Sequence, residues 1–460
     1  MTFDELSQST GSYLYPGNDK GFNSVCIDSR KITPGALFVA LAGAIQDGHS
    51  YIESALEAGA AGIMAARSRL ESFNIVNLVK KWGKTLLVAD DTLRGLQNAA
   101  EFYLTKFNQL LKIAITGSSG KTTTKEIAAA IIGQEKNVVM NSGNLNSETG
   151  LPLSVFNVRG EHETGIFEAG MNRRGEIAEL AKVLKPNIAL ITNIGSAHIG
   201  ILGSKAAIAE EKKNIFSNFN GAGIALIPSD DQFCDFLSQN INGEVIRYGF
   251  DNFFKPENII NRGLDGYEIT WAGLKINFPL PGMHNLRNAV SALAIANVLK
   301  ISAESVRKGL ESIKPIFGRS EIFRSDVTVI RDCYNSNPES LDSVLASCDS
   351  VKWQGRKIYV IGAMLELGDI SVKAHEDMGN RLAESDADMI FLYGRETETA
   401  AAKLSTAGIS FYITEKMDEL KKNLRQFIRA GDLILLKGSR GCALEELTPV
   451  LLPELSGGGF

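Results

Sequence analysis

The stretch ITGSSGKTT at 115–123 sets glycine, lysine and hydroxyl side chains at a spacing suited to a phosphate. Gly117 and Gly120, with Ser118 and Ser119 between them, let the backbone curl so that its N–H groups face phosphate oxygens. A helix beginning at the lysine adds the positive end of its dipole. Lys121 is then placed to neutralise the β- and γ-phosphates of ATP, and the Thr122 hydroxyl to sit on Mg²⁺, with Thr123 beside it. The general phosphate-loop pattern wants glycine at position 115, where this chain has Ile115.

Elements of matching type surround the loop. An apolar run at 111–115 precedes it and a helical pattern at 122–132 follows. Apolar runs at 165–167, 188–191 and 224–227, with helical spans between several of them, predict a mostly parallel sheet wrapped by helices. Glu168 closes one of these runs, at the end where such sheets place ligands. Residues 1–110 mix short strand-like runs (36–41 and 85–88) with an alanine-rich helical run at 51–61. Beyond Pro315 and Gly318, buried strands are expected at 357–361, 389–393 and 433–436. The 460 residues therefore divide into three α/β domains: a small mixed domain at 1–110, a central phosphate-loop domain at 111–316, and a Rossmann-like domain at 317–460.

Composition narrows the function classes. Hydrophobic residues make up 44% and charged residues 22%, as in ordinary globular proteins, and the net charge of -5 gives no basic field for nucleic acid. No apolar run is long enough to span a membrane, and the first residues lack the pattern of a signal peptide. Five scattered cysteines without a Cys-x-x-Cys pair fit reduced thiols, so a cytoplasmic protein is expected. No Ser-His-Asp or Cys-His set offers an enzyme nucleophile.

Thr-Gly-Ser-x-Gly-Lys-Thr-Thr resembles the shortened phosphate loop of the Mur ligases and of the folylpolyglutamate synthetases. FEAGMNRRGEI at 167–177, NIGSAHIGILGS at 193–204, GMHNLRNAVSALA at 282–294 and Arg319 after a glycine extend the resemblance in the order of the Mur ligase family. The family then implies Glu168 and His198 at the metal, and His284, Asn285 and Asn288 near the nucleotide. It also implies Arg319 and Asp332 completing the ATP site from the third domain. In AEEKKNIF at 209–216 a lysine four positions before an aromatic residue matches the one that relatives carbamylate to hold a second Mg²⁺. That spacing selects Lys212, with Lys213 the alternate; read alone, EEKK is an exposed charge run.

CIDSRKITPGALFVALAGAIQDGHSY at 26–51 resembles the UDP-sugar-binding domain of the ligases that add the third residue and the final dipeptide. It implies Asp28, Ser29 and Arg30, with Asp47, Gly48 and His49, near the uridine diphosphate. NSGNLNSETGLPLSV at 141–155, DCYNSNPESLDSVL at 332–345 and VIGAMLELGD at 360–369 resemble the dipeptide-adding branch, with Ala363 where the family loop commonly has aspartate. The Asp-Asn-Pro-Arg motif of the third-residue branch is absent, since Glu339 follows Pro338. Asn144, Asn146, Tyr334, Asn335 and Asn337 are thereby implied at the peptide and dipeptide. The expected reaction is ATP-dependent and uses two Mg²⁺ ions. It joins D-alanyl-D-alanine to UDP-N-acetylmuramoyl-tripeptide through an acyl phosphate, on a monomer. A third-residue ligase, a folylpolyglutamate synthetase and a non-catalytic ATP-binding regulator are the rivals.

Overall fold

The computed structural model describes residues 1–43, 46–251 and 255–452; the glycine-rich tail at 456–459 lies outside them. Apolar runs become strands wherever β-branched and aliphatic residues can be covered on both faces. In the first body Ala36–Val39, Gly62–Ala66 and Thr85–Ala89 are buried at every position. They lie in a five-stranded sheet, parallel except for its edge strand Tyr13–Tyr15. The helix expected over 51–61 is shorter, Ile52–Glu57. Gly59, at φ 96°, turns the chain, and Ala60 and Ala61 join the core instead.

Helix Thr92–Leu104 couples this body to the next. Asp91 caps it by accepting the N–H groups of Leu93 and Arg94. Its Leu96 and Ala100 share one apolar core with Leu151 and Phe167 of the central body. Polar ties reinforce the seam: Tyr103 Oη donates to the Val158 carbonyl at 2.9 Å, and Arg94 pairs with Glu179 at 2.8 Å.

The central sheet has six parallel strands, ordered Gly243–Tyr248, Gly223–Pro228, Ile188–Ile191, Leu111–Thr116, Thr164–Glu168 and Val138–Met140. A three-stranded antiparallel sheet at 258–278 is an addition that the sequence reading did not anticipate. Two of its strands alternate between covered and less covered positions and the third, Asn258–Asn261, is largely open, so they present no continuous apolar run. Ala272 and Gly273, at φ 47° and 75°, form the two-residue turn that joins Tyr267–Trp271 to Leu274–Phe278.

The third sheet is parallel across Thr328–Asp332, Leu433–Lys437, Lys357–Gly362, Met389–Tyr393 and Phe411–Thr414, with Glu321–Arg324 antiparallel at one edge. Pro315 and Gly318 lie in the connection between helix Ala303–Ser312 and this edge strand. In the three larger sheets, Asp28, the phosphate loop, Asn144, His198 and Tyr334 follow the carboxyl ends of parallel strands, whereas Asn288 and Lys212 lie on helices and Arg319 precedes the antiparallel edge strand.

Candidate active site

Strand Leu111–Thr116 delivers the phosphate loop and helix Lys121–Ile132 receives it. Both glycines are required by what lies against them. A Cβ on Gly117 would fall 1.8 Å from Thr192 Oγ1, and one on Gly120, at φ 79°, 2.1 Å from Asn288 Oδ1. Asn288, from helix Met283–Val298, therefore packs directly on the loop, and it also accepts the Thr124 hydroxyl at 3.4 Å. The Ser119 N–H donates to Asn193 Oδ1 at 3.1 Å, and the Ser119 carbonyl accepts the Thr192 hydroxyl at 2.6 Å. The half-buried Lys121 ammonium folds back onto the Gly117 carbonyl at 2.9 Å. Burial lowers its pKa, against the pull of Glu168 and with the push of Arg319.

Glu168 is the centre of a polar cluster. It is 1% exposed; its Oε2 accepts the Thr122 hydroxyl at 2.7 Å and its Oε1 the Asn146 amide at 2.6 Å. Asn141 fixes the backbone behind it, accepting the Glu168 N–H at 2.9 Å and donating to the Glu168 carbonyl at 3.0 Å. Arg319 reaches across from the third body to the same Thr122 hydroxyl at 3.1 Å, its guanidinium 4.3 Å over the Tyr334 ring. Carboxylate and hydroxyl oxygens converging in a covered site form a donor set suited to a hard cation such as Mg²⁺.

His198 and Lys212 close in on this cluster. His198 sits at φ 64° before a short helix, and its buried Nδ1 has no hydrogen-bond partner, with Glu366 Oε2 3.4 Å away. Burial, then the charges of Lys121 and Lys212, depress its pKa to about 4. The Lys212 side chain is 1% exposed, and burial and Lys121 lower its pKa far below the ordinary lysine value. Lys213 points elsewhere, donating to the Phe236 carbonyl at 2.7 Å and lying over that ring.

The third body supplies the far wall. Asp332 accepts the Ser320 N–H at 2.9 Å and the Lys437 ammonium at 2.8 Å; burial raises its pKa, but Lys437 and His284 outweigh that and hold it below the usual value. His284 approaches Ser320 Oγ at 2.9 Å. Tyr334, Asn335 and Asn337 all line the cleft. The Asn337 side chain is engaged as the cap of helix Pro338–Ser350, and Asn335 Oδ1 accepts the Ser336 N–H. The cleft between the two bodies encloses about 740 Å³ and includes Asn144, Asn146, Glu168, His198 and every loop residue from Ser118 to Thr123.

The six first-body residues lie apart from this cleft. Asp28 caps the turn Ser29–Lys31 and pairs with Arg30 through both oxygens, which holds its carboxyl down at about 2. Asp47 caps the turn Gly48–Tyr51, binds Arg69 at 3.0 Å, and contacts His49 Nδ1 at 2.6 Å. His49 is 2% exposed, and its Nε2 accepts the Ala66 N–H at 2.9 Å. Its ring thus braces the turn from behind. Asp28, Ser29 and Arg30 stay near the surface at the carboxyl edge of the first sheet.

Residues 115–296 match the Mur ligase middle domain, 318–440 the Mur ligase, glutamate ligase domain, and 22–82 the Mur ligase family, catalytic domain. A UDP-N-acetylmuramoyl-tripeptide--D-alanyl-D-alanine ligase of Treponema pallidum is 43% identical over 458 residues, 99% of each chain. The chain belongs to the Mur ligase family. Among solved structures, MurF from Acinetobacter baumannii superposes with a TM-score of 0.88 at 28% identity, covering 98% of each chain. MurF ligase from Thermotoga maritima in complex with ADP gives 0.79 at 27% identity, covering 94% of this chain and 97% of that one.

Asn141, Thr192, Asn193, Lys437, Glu339 and Glu366 are site residues that the motif reading did not select. A usable signal existed for two of them. Asn141 directly follows the short strand Val138–Met140 and Lys437 ends the buried strand Leu433–Lys437, strand-end placements like the one that singled out Glu168.

Proposed function

We propose that the chain joins D-alanyl-D-alanine to UDP-N-acetylmuramoyl-tripeptide, consuming ATP and passing through an acyl phosphate. The observation that carries this reading is the cleft in which Lys121, Thr122 and Glu168 of the central body meet Arg319 and Asp332 of the third. Two anions must approach there, a peptide carboxylate and the ATP γ-phosphate. Lys121, Arg319 and the loop N–H groups offset their repulsion. Thr122 and Glu168 would hold one Mg²⁺, and a carbamylated Lys212 with His198 a second; when bound, these ions neutralise phosphate charge and polarise the transferring group.

Carbamylation joins the neutral Lys212 amine to carbon dioxide with release of one proton. Burial and the nearby Lys121 favour the neutral amine it needs. Asp332, held by Lys437 and Ser320, is the acceptor for the nucleotide's hydroxyls, and Asn288 keeps the loop in its curled form. The dipeptide amine then attacks the acyl phosphate, and the tetrahedral adduct collapses to the amide with release of phosphate. Closure of the third body excludes water from that intermediate.

In this reading residues 1–110 hold the UDP end at Asp28, Ser29 and Arg30, with Asp47, Gly48 and His49 shaping the same edge. Residues 111–316 activate the carboxylate. Residues 317–460 bring the dipeptide along Tyr334, Asn335 and Asn337, opposite Asn144 and Asn146. A monomer is the working unit in this reading. Among the described residues no helix is long and apolar enough to cross a membrane; a cytoplasmic site of action fits the scattered thiols.

The test is phosphate release and amide product with UDP-N-acetylmuramoyl-tripeptide plus D-alanyl-D-alanine. A parallel mixture holds the shorter UDP-dipeptide precursor with lysine or diaminopimelate. Product in the first mixture alone is expected. Product only in the second would make this a third-residue ligase.

A further inference from the structure

The segment that leaves strand Ile188–Ile191 runs past the phosphate loop to His198, and each consecutive N–H along it has a different owner. The Ile194 N–H donates to Asp231 Oδ2 at 2.7 Å. The Gly195 N–H donates to Ser118 Oγ at 2.8 Å, inside the phosphate loop, and the Ser118 N–H returns a bond to the Asn193 carbonyl at 2.9 Å. The Ser196 N–H is claimed by the third body: it donates to both oxygens of Glu339 at 3.1 Å, and the Ser196 hydroxyl adds a bond of 2.8 Å. Lys205, also from the central body, completes the shell of Glu339 at 2.8 Å.

Glu339 can make this reach because of its place. It is the second residue of helix Pro338–Ser350, behind the Asn337 cap and the helix-starting proline, so its carboxylate projects from a rigid helix end. The opposing surface is shaped to receive it. A Cβ on Gly195 would stand 3.2 Å from Glu339 Cδ and 3.4 Å from Ser118 Cβ, so the carboxylate and the phosphate loop both close on the space that a side chain at this position would take. Burial raises the Glu339 pKa, but the hydrogen bonds from Lys205 and Ser196 outweigh it and keep the group an anion. Without that carboxylate, the Ser196 N–H would face the cleft unpaired, and the segment between Ser118 and His198 would lose its only tie to the third body among the described N–H bonds of 194–196.

We propose that Glu339 is a positioning residue for the reaction: seated on the Ser196 N–H, it fixes residues 193–198 as a crossbar that sets the phosphate loop on one side and His198 on the other when the third body closes. The resemblance carried by residues 332–345 gives Glu339 no role; the geometry makes it the link between closure and phosphate geometry. This inference rests on the ligase reading above.

The experiment compares wild type with Glu339→Ala, Glu339→Gln and Gly195→Ala in the full-length protein. Phosphate release is measured while ATP, the UDP-tripeptide and the dipeptide are varied in turn. Compaction by adenylyl imidodiphosphate with Mg²⁺ is followed by small-angle X-ray scattering, and melting temperature checks the fold. Glu339→Ala is expected to lower kcat/KM for ATP about 10- to 100-fold, the range for a lost hydrogen bond to a charged group. KM for the UDP-tripeptide should move less than about threefold, since that end lies apart from the crossbar. Glu339→Gln retains an acceptor for the Ser196 N–H and loses only the half-exposed Lys205 pair, so it should recover most of the loss. Gly195→Ala, which keeps Glu339 but crowds it, should resemble Glu339→Ala.

Wild-type kcat/KM for ATP in a folded Glu339→Ala would overturn the proposal. So would a defect confined to KM for the dipeptide, which would make Glu339 a contact for the dipeptide ammonium instead. If wild type itself releases no phosphate on these substrates, the ligase reading fails, and scattering still decides the crossbar. Compaction by the nucleotide analogue that is lost in Glu339→Ala supports it, and compaction equal to wild type refutes it.

Discussion

The carboxyl edges of the first and central sheets hold polar residues in opposite ways. At the first sheet, Asp28 and Asp47 each accept an N–H only two positions along the chain, from Arg30 and His49. At the central sheet, Thr122 is joined to Glu168 forty-six positions away and to Arg319, 197 positions away. The first arrangement makes a local turn with Asp28, Ser29 and Arg30 near the surface. The second makes a site that exists only when distant elements and two bodies are assembled. A binding surface can be built from capped turns alone. Chemistry on two mutually repelling anions needs charges fixed from several directions before the substrates arrive.

The largest effects should come from cutting the central network. Lys121→Ala is expected to reduce turnover at saturating ATP by at least about 10²- to 10³-fold, the scale for removing one preorganised charge or donor at a transition state. The fold should survive, because among the described residues the ammonium bonds only to its own loop carbonyl. Near-normal turnover would show that the two edges differ less than their wiring implies. Lys212→Ala should be nearly as damaging, for a different reason. It removes a buried amine and, in the proposed state, two oxygen ligands. Short carboxylic acids should restore part of the activity by entering the vacated space. A Lys212→Ala enzyme that is folded and active at low bicarbonate would return Lys212 to the status of a buried structural lysine.

This contrast also explains what could be read in advance. The phosphate loop was legible because strand, glycine turn, lysine and helix are contiguous, and the parallel sheets were legible because strands such as Lys357–Gly362 are apolar at nearly every position. Glu168 was legible from its place at a strand end. The antiparallel sheet at 258–278 was not, because its strands are half covered and carry no long apolar run. Asn193 and Glu339 were not, because each acts on a partner brought close only by the fold. In the sequence Glu339 stands out only as the residue that breaks the Asp-Asn-Pro-Arg pattern. His49 shows the reverse case: the motif drew attention to it as a ligand neighbour, whereas its ring is enclosed and braces the turn.

A smaller effect should separate the two edges kinetically. Asp28→Ala loosens the turn Ser29–Lys31 and frees Arg30. KM for the UDP-linked precursor should rise about fivefold, comparable to the loss of one capping bond, with kcat and KM for ATP unchanged. Steady-state kinetics with each substrate varied in turn reads this directly. A fall in kcat instead would mean that the first edge communicates with the cleft, and the division into a local binding edge and an assembled catalytic edge would fail.

The last contrast concerns two buried histidines that brace turns in the same manner. His49 and His375 each accept a backbone N–H on Nε2, from Ala66 and Met364, and each places Nδ1 against an oxygen, of Asp47 or of the Ser371 carbonyl. An accepting Nε2 requires the neutral ring with its proton on Nδ1. For His375 burial lowers the pKa from its ordinary value, against a smaller raising contribution from the Ser371 carbonyl. The unfolded chain therefore takes up this proton before the folded one does. The stability that neutral His375 contributes is complete above the ordinary histidine pKa of about 6.5 and declines as pH falls below it. His375→Gln removes that titration and weakens the bond to Met364, at a cost of about 1–3 kcal/mol near neutral pH. Urea unfolding from pH 8 to pH 5 should show wild type losing stability on acidification more steeply than the variant. Parallel curves would mean that His375 keeps its ordinary pKa in the fold, and that the Met364 turn is held by its surroundings rather than by the ring.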